Sequence, residues 1–160
     1  GVYLAALKLI LMYHMKPTDA VALYNRYIGD WGGTSTSYRF EAVKNGKVVK
    51  VVRKEPVTSM HLSAEPDHQN LTERHTYEAA EIRIRALDQN DNIVNFYQEP
   101  VVLSAEGPIA IIGPKIISLQ GGMGGTYVRT TGEEGIGILK IRAAQMEEQR
   151  IQFEVKNDRK

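Results

Sequence analysis

Two spacings of apolar residues divide this chain. Ahead of Thr34 they recur every three or four positions, and after it they alternate one by one. The run from Val2 to Met15, VYLAALKLILMYHM, consists of strong helix formers with only Lys8 and His14 as polar positions. It predicts a first helix. Pro17 suits the first turn of a second helix and ends any helix ahead of it. In that second helix Ala20, Leu23, Tyr24, Tyr27 and Ile28 make one apolar stripe, with Asp19, Asn25 and Arg26 off it, and Gly29 and Gly32-Gly33 end it. A helix that is apolar nearly all round needs cover on more than one side. Two readings stay open: part of its environment lies outside this chain, or it is the sandwiched member of a helical hairpin.

After Thr34 the period is 2. Ser37 to Val43 and Lys47 to Arg53 read as two strands joined at Asn45-Gly46, a hairpin turn because both residues tolerate positive φ. Lys54-Glu55-Pro56 separates this pair from the next strands. Then Met60, Leu62 and Ala64 alternate with polar positions, as do Ile82, Ile84 and Ala86, then Leu139, Ile141 and Ala143, then Ile151, Phe153 and Val155. Val101 and Leu103, Ile109 and Ile111, Ile116 to Leu119, and Tyr127 to Thr130 supply further short strands. About seven strands in roughly 100 residues, with turn chemistry between them, predict an immunoglobulin-like sandwich of two antiparallel sheets. The expected fold is therefore mainly β, in three parts: a helical hairpin over 1–33, a β-hairpin connector over 34–56, and an immunoglobulin-like β-sandwich over 57–160.

Charge and composition narrow the partners. Lys and Arg (20) nearly balance Asp and Glu (19), for a net charge of +1, and the two signs are interleaved, so nothing here tracks a nucleic-acid backbone. The apolar run from Val2 falls short of the roughly 20 residues of a membrane span. It has neither a basic segment before it nor a small-residue cleavage site after it, so it does not read as a signal peptide. The chain has no cysteine, which excludes disulfides, thiolate metal sites and a cysteine nucleophile. That fits a cytoplasmic bacterial protein and leaves secretion open. Self-association through the apolar first helix is a further expectation.

Candidate chemistry is sparse. Gly121-Gly122-Met123-Gly124-Gly125 has the look of a phosphate loop, but β-prone Thr126 to Thr131 comes next instead of a helix N-terminus, so a sharp turn between strands is the better reading. Asp88-Gln89-Asn90-Asp91-Asn92 clusters oxygens, yet Ile93 and Glu99 stand where a helix-loop-helix calcium site requires Gly and Glu. Asp and Asn are also what a tight turn uses. His14, His61, His68 and His75 have no metal-ligand spacing. A retaining glycosidase needs two carboxyl groups roughly 5 Å apart. Glu133-Glu134 and Glu147-Glu148 are adjacent pairs beside turns and read as solvated charges. Neither a catalytic residue nor a cofactor or metal site is expected. Trp31, Tyr24, Tyr27 and Tyr38 bracket the helix-to-strand junction; they are candidates for sugar or interface contacts, or for packing at a helix–sheet seam.

Three segments carry a resemblance. Trp31-Gly32-Gly33 with Ser37-Tyr38-Arg39-Phe40-Glu41-Ala42-Val43 and Asn45-Gly46-Lys47-Val48-Val49 is similar to the region after the catalytic barrel of bacterial family 2 glycoside hydrolases, the β-galactosidase-like group. His75-Thr76-Tyr77 with Arg83-Ile84-Arg85-Ala86-Leu87-Asp88 resembles the opening of the C-terminal immunoglobulin-like domain of those enzymes. Glu106-Gly107-Pro108, Ile112-Gly113-Pro114 and the stretch from Leu119 to Gly132 resemble its glycine-rich core. The family often has Asn-Gly in the first strand connection, where this chain has Asn90-Asp91-Asn92. The resemblance implies a parent enzyme that cleaves β-galactosides or related β-glycosides with two Glu residues on an upstream barrel. This chain would be its non-catalytic accessory part, with that barrel as partner. Two rivals remain: an adhesin-type immunoglobulin-like module, against which the lack of an internal repeat speaks, and an independent carbohydrate-binding module, which would need an aromatic platform.

Overall fold

The computed structural model describes residues 36–158 and, ahead of them, Lys8, Leu11, Met12, His14 and residues 16–27. The chain is mainly β. One helix is complete among the described residues, α1 (Pro17–Tyr27). Asp19 lies in its first turn, where its carboxylate accepts the Lys16 N–H at 3.1 Å, and Arg26 lies in its last, which suits the helix dipole at both ends. Lys8, Leu11 and Met12 also have helical backbone, but most of the first expected helix lies outside the described residues. The helical hairpin is accordingly not supported. His14, at φ 51°, stands in the left-handed region, which no helix continues through.

The first two strands, β1 (Tyr38–Lys44) and β2 (Lys47–Lys54), form a two-stranded sheet of their own. Asn45 (φ 53°) and Gly46 (φ 74°) make the turn, both in the left-handed region that a two-residue hairpin loop of this hand demands. The register shifts between Ala42 and Val43, and Val49 is the extra residue of the resulting bulge.

Nine more strands build two larger sheets. In chain order they are β3 (Met60–Pro66), β4 (Asn70–Glu73), β5 (Ala79–Asp88), β6 (Pro100–Glu106), β7 (Ile109–Ile112), β8 (Ile116–Ser118), β9 (Met123–Thr130), β10 (Gly135–Ala143) and β11 (Gln149–Asn157). One sheet has the order β3-β5-β9-β7 and is antiparallel throughout. The other has the order β4-β11-β10-β6-β8, antiparallel except that β4 runs parallel to β11.

The period-2 pattern decides which side chains go inside. Ile82, Ile84 and Ala86 of β5 are fully buried, while Arg83 and Arg85 between them point outward. Leu139 and Ile141 of β10 and Ile151, Phe153 and Val155 of β11 do the same from the other sheet. These residues, with Leu62, Leu71, Val101, Leu103 and Val128, form one contiguous core between the two sheets, the arrangement of a two-layer sandwich.

Two carboxylates that enter this interior are bonded. Glu73 is buried at the end of β4, and its carboxylate accepts the Gly132 N–H at 2.9 Å. Asp88, buried at the end of β5, organises the turn after that strand. One of its oxygens accepts the N–H groups of Asn90 (2.8 Å) and Asn92 (2.9 Å), and the Asn92 amide donates to both of its oxygens. Asp91 at φ 60° takes the left-handed position of the turn. The same loop clasps the linker leaving β2. Asn92 Nδ2 donates to the Arg53 carbonyl (2.8 Å), Gln89 Nε2 to the Pro56 carbonyl (2.8 Å) and Asn90 Nδ2 to Glu55 (2.7 Å). The cluster that resembles a calcium loop in sequence is thus a turn and a clasp.

Two outcomes are expected. Ile84→Ala or Ile141→Ala should destabilise the sandwich by about 2–5 kcal/mol in denaturant melts; no loss at either position would mean that these residues do not face the core. The second concerns acid. Burial pushes the Asp88 carboxyl up, but the N–H and side-chain bonds from Asn92, the Asn90 N–H and the charge of Lys54 outweigh it and hold it below the ordinary aspartate value. A depressed carboxyl contributes stability that is present above its unfolded value and lost as pH falls through the lower folded one. Melts from roughly pH 7 to about pH 3 should show an acid limb, shared with Asp67, Glu55 and Glu148, whose carboxyls are also lowered. Asp88→Asn should flatten part of it, and an unchanged limb would contradict this account.

Candidate functional site

The four aromatics that bracket the helix-to-strand junction fare differently. Tyr24 lies on α1 and is 57% exposed; Tyr38 opens β1 and is 59% exposed. Tyr27 is the last residue of α1, but its side chain is not among those described, and Trp31 lies outside the described residues, as do Ile28, Gly29 and Gly32-Gly33. Tyr38 stacks on Phe40, with ring centroids 6.4 Å apart and planes 24° from parallel.

Other apolar side chains of these two elements are exposed as well. Residues paired across an antiparallel ladder share a face. One face of the β1–β2 sheet therefore carries Tyr38, Phe40, Ala42 and Val52, and the other Val43, Val48 and Val51 beside the Arg39–Glu41 ion pair (2.5 Å). Phe40 is 58% exposed, and all the valines but Val52, which is half-buried, are exposed as well. Among the described residues neither strand has a second neighbour in the sheet, so both edges are open too. On α1, Val21, Leu23 and Tyr24 are exposed apolar side chains. A lone two-stranded sheet is marginal in water. This one is held to the sandwich at its base by the clasp on Arg53, Glu55 and Pro56.

One member of each acidic pair is engaged structurally. Glu148 departs from the solvated charge that its sequence position suggests; its side chain is 18% exposed and gripped between Arg142 Nε and Arg150 Nε, the latter at 2.6 Å. The first of those bonds, then the second, holds its carboxyl below the ordinary glutamate range. Glu134 accepts the Asn157 N–H at 3.1 Å. Among the described residues no three His, Asp or Glu side chains converge as metal ligands, and no helix is long and apolar enough to cross a membrane. The β4–β5 loop bounds an open cavity of about 370 Å³, where the Arg129 guanidinium sits 5.5 Å over the Tyr77 ring. Of the glycine-rich stretch, Gly121 (φ 59°) and Gly122 (φ 75°) make the expected turn, whereas Met123 onward is already strand β9.

No family model matches the chain. Curated proteins do. A β-galactosidase of Rhizobium radiobacter is 34% identical over 135 residues, which cover 79% of this chain and 92% of that protein. A β-galactosidase of Rhizobium meliloti is 34% identical over 99 residues, 61% of this chain, and the match takes up only 13% of its length. Among solved structures, a glycosyl hydrolase family 2 member from Bacteroides cellulosilyticus superposes with a TM-score of 0.61 at 15% identity, over 75% of this chain and 17% of its own. The chain therefore spans a small part of the longer proteins it matches. With the sandwich shared with a glycosyl hydrolase family 2 structure, and with a β-galactosidase of one-third identity matched over nearly its whole length, the chain belongs to the β-galactosidase family.

Proposed function

We propose that this chain is the non-catalytic C-terminal accessory part of a β-galactoside-cleaving enzyme, and that it packs against the catalytic barrel of the same polypeptide through the β1–β2 sheet and α1. The observation that carries this reading is the sheet itself, which presents apolar side chains on both faces and leaves both edges unpaired. Burial of apolar surface is worth about 25 cal/mol per Å². A sheet that forgoes it on two faces is stable only where something else covers it. The small share of the longer relatives that the chain matches supplies the source of that cover. Tyr24, Tyr27, Trp31 and Tyr38 are the aromatics assigned to this contact. The immunoglobulin-like sandwich serves as the rigid support behind it.

The non-catalytic reading is supported by the structural engagement of three glutamates. Glu148 is taken up by two arginines, Glu134 by the Asn157 N–H, and Glu73 is buried on the Gly132 N–H. Acid and nucleophile chemistry on a glycoside needs two carboxyl groups converging on a cleft.

Two measurements test this. The chain alone should not turn over a nitrophenyl β-galactoside; turnover abolished by replacing one of its own glutamates would overturn the reading. Phe40→Asp should leave the melting of the chain alone within about 0.5 kcal/mol, since the ring is already exposed. In the full-length enzyme the same substitution should lower the unfolding temperature and the activity. If the full-length enzyme is indifferent to it, the sheet does not face the barrel. Light scattering on the chain alone reads the competing outcome, in which a second copy covers the sheet.

A further inference from the structure

At the end of the sandwich away from the β4–β5 loop, the β5–β6 connection meets the β10–β11 turn and leaves a groove of about 700 Å³. Its walls are Phe96, Tyr97, Gln98 and Glu99 on one side, with Met60 beside them, and Ala144 and Gln145 on the other. Phe96 is 69% exposed, the highest exposure of any large apolar side chain among the described residues. An aromatic ring left in water beside a groove, flanked by two side-chain amides and a carboxylate, is a particular chemical combination. The ring offers a flat apolar face, and the neighbours offer both donors and acceptors.

The groove is built rather than accidental. The Tyr97 N–H donates to the Val94 carbonyl (3.0 Å), and the Tyr97 carbonyl accepts the Gly122 N–H (2.9 Å). The Val94 N–H donates to the Ala86 carbonyl of β5 (2.9 Å), so the segment bearing Phe96 is tied to both β5 and the glycine-rich turn. Gly122 permits this approach. At φ 75° it takes a conformation that suits glycine, and a Cβ there would stand 2.4 Å from the Val94 carbonyl oxygen. On the opposite wall Gln145, at φ 61°, takes the left-handed position of the β10–β11 turn. The Tyr97 hydroxyl is buried and has no hydrogen-bond partner among the described residues, which leaves polar capacity unused at a costly place.

We propose that this groove binds a neutral saccharide, with one pyranose ring stacked on Phe96 and its hydroxyls bonded by Gln98, Glu99 and Gln145. A sugar has an apolar C–H face for the ring and hydroxyls that both donate and accept, which Gln98, Gln145 and Glu99 match. A pocket of this volume accommodates a small ligand. A β-galactoside is the natural first probe, and that choice alone rests on the proposed function.

The test is a titration of the 160-residue chain with lactose and with a β-linked galactose trisaccharide, monitored by amide chemical shifts and calorimetry. Saturable shifts should centre on residues 96–99 and 144–145. Phe96→Ala should weaken binding by about tenfold or more, equivalent to about 1.4 kcal/mol, with the melting temperature as the control for folding. Gln98→Ala should weaken it less. Tyr77→Ala, an exposed ring at the other end of the sandwich, should leave it unchanged. No saturable shift at millimolar saccharide, or shifts that survive Phe96→Ala in full, would overturn the proposal. Galactoside cleavage by the full-length enzyme is read separately. Cleavage without binding by this chain removes the groove site alone, and saccharide binding by a chain whose full-length enzyme spares galactosides removes only the proposed function.

Discussion

The layer of side chains shared by the two sheets is the constraint on which the other features depend. Ile82 and Ile84 reach down from one sheet, and Leu139, Ile141 and Phe153 reach up from the other, all with essentially no solvent exposure. A strand can present only every second residue to such a layer, so the register of each strand is set by where its apolar residues fall. A slip of one residue in β5 would put Arg83 and Arg85 into the core. The turns must then deliver each strand at the right height, which explains why several of them rely on a carboxylate rather than on glycine alone. Asp88 and Glu73 are buried because they hold the backbone where the chain leaves the layer, and their oxygens are bonded to the N–H groups that would otherwise be stranded there.

That layer is also the most legible part of the sequence. Strict alternation at Ile82–Ala86, Leu139–Ala143 and Ile151–Val155 marks one face of a strand with little competition from helix. The Asn45-Gly46 turn is equally plain, because few dipeptides accept two left-handed residues in a row. Strand β4 leaves no such mark. It has four residues and one core apolar side chain, Leu71, and its partner β11 lies more than 80 positions along the chain. A parallel neighbour that distant leaves no local signal. The first residues of β10 escape a reading by period for a related reason. Gly135-Ile136-Gly137 reads as turn chemistry, yet Gly137 sits in the ladder opposite Phe153, with Ile109 packed where a side chain would be.

The candidate sites are harder to read, and the physical reason is general. Period detects what is buried, while function at a surface depends on what is left out of the pattern. Phe96 belongs to no alternating run, and nothing in the sequence around it says that its ring stays in water. Tyr24 and Tyr38 stand out because they cluster near a junction, but that Tyr38 is exposed on an open face of the β1–β2 sheet, and Tyr24 on α1, only the fold reveals. At the Asp88 to Asn92 loop the turn reading holds over the cation reading. Oxygen-rich composition suggests a cation, whereas the same oxygens are consumed by the turn and by the linker to β2.

The position of β11 has a consequence for how the protein is made. This strand lies between β10 and β4, second from one margin of its sheet, and brings Ile151, Phe153 and Val155 into the shared layer. On a ribosome, every other strand of the sandwich emerges before it. Until residue 157 has cleared the exit tunnel, β4 has no neighbour, β10 has one open side, and the apolar layer lacks its single phenylalanine. The domain must therefore wait, partly assembled and with sticky surface showing, for the last strand to slot in. A chain truncated ahead of Gln149 would lose Ile151, Phe153 and Val155 from that layer and leave β4 without its partner.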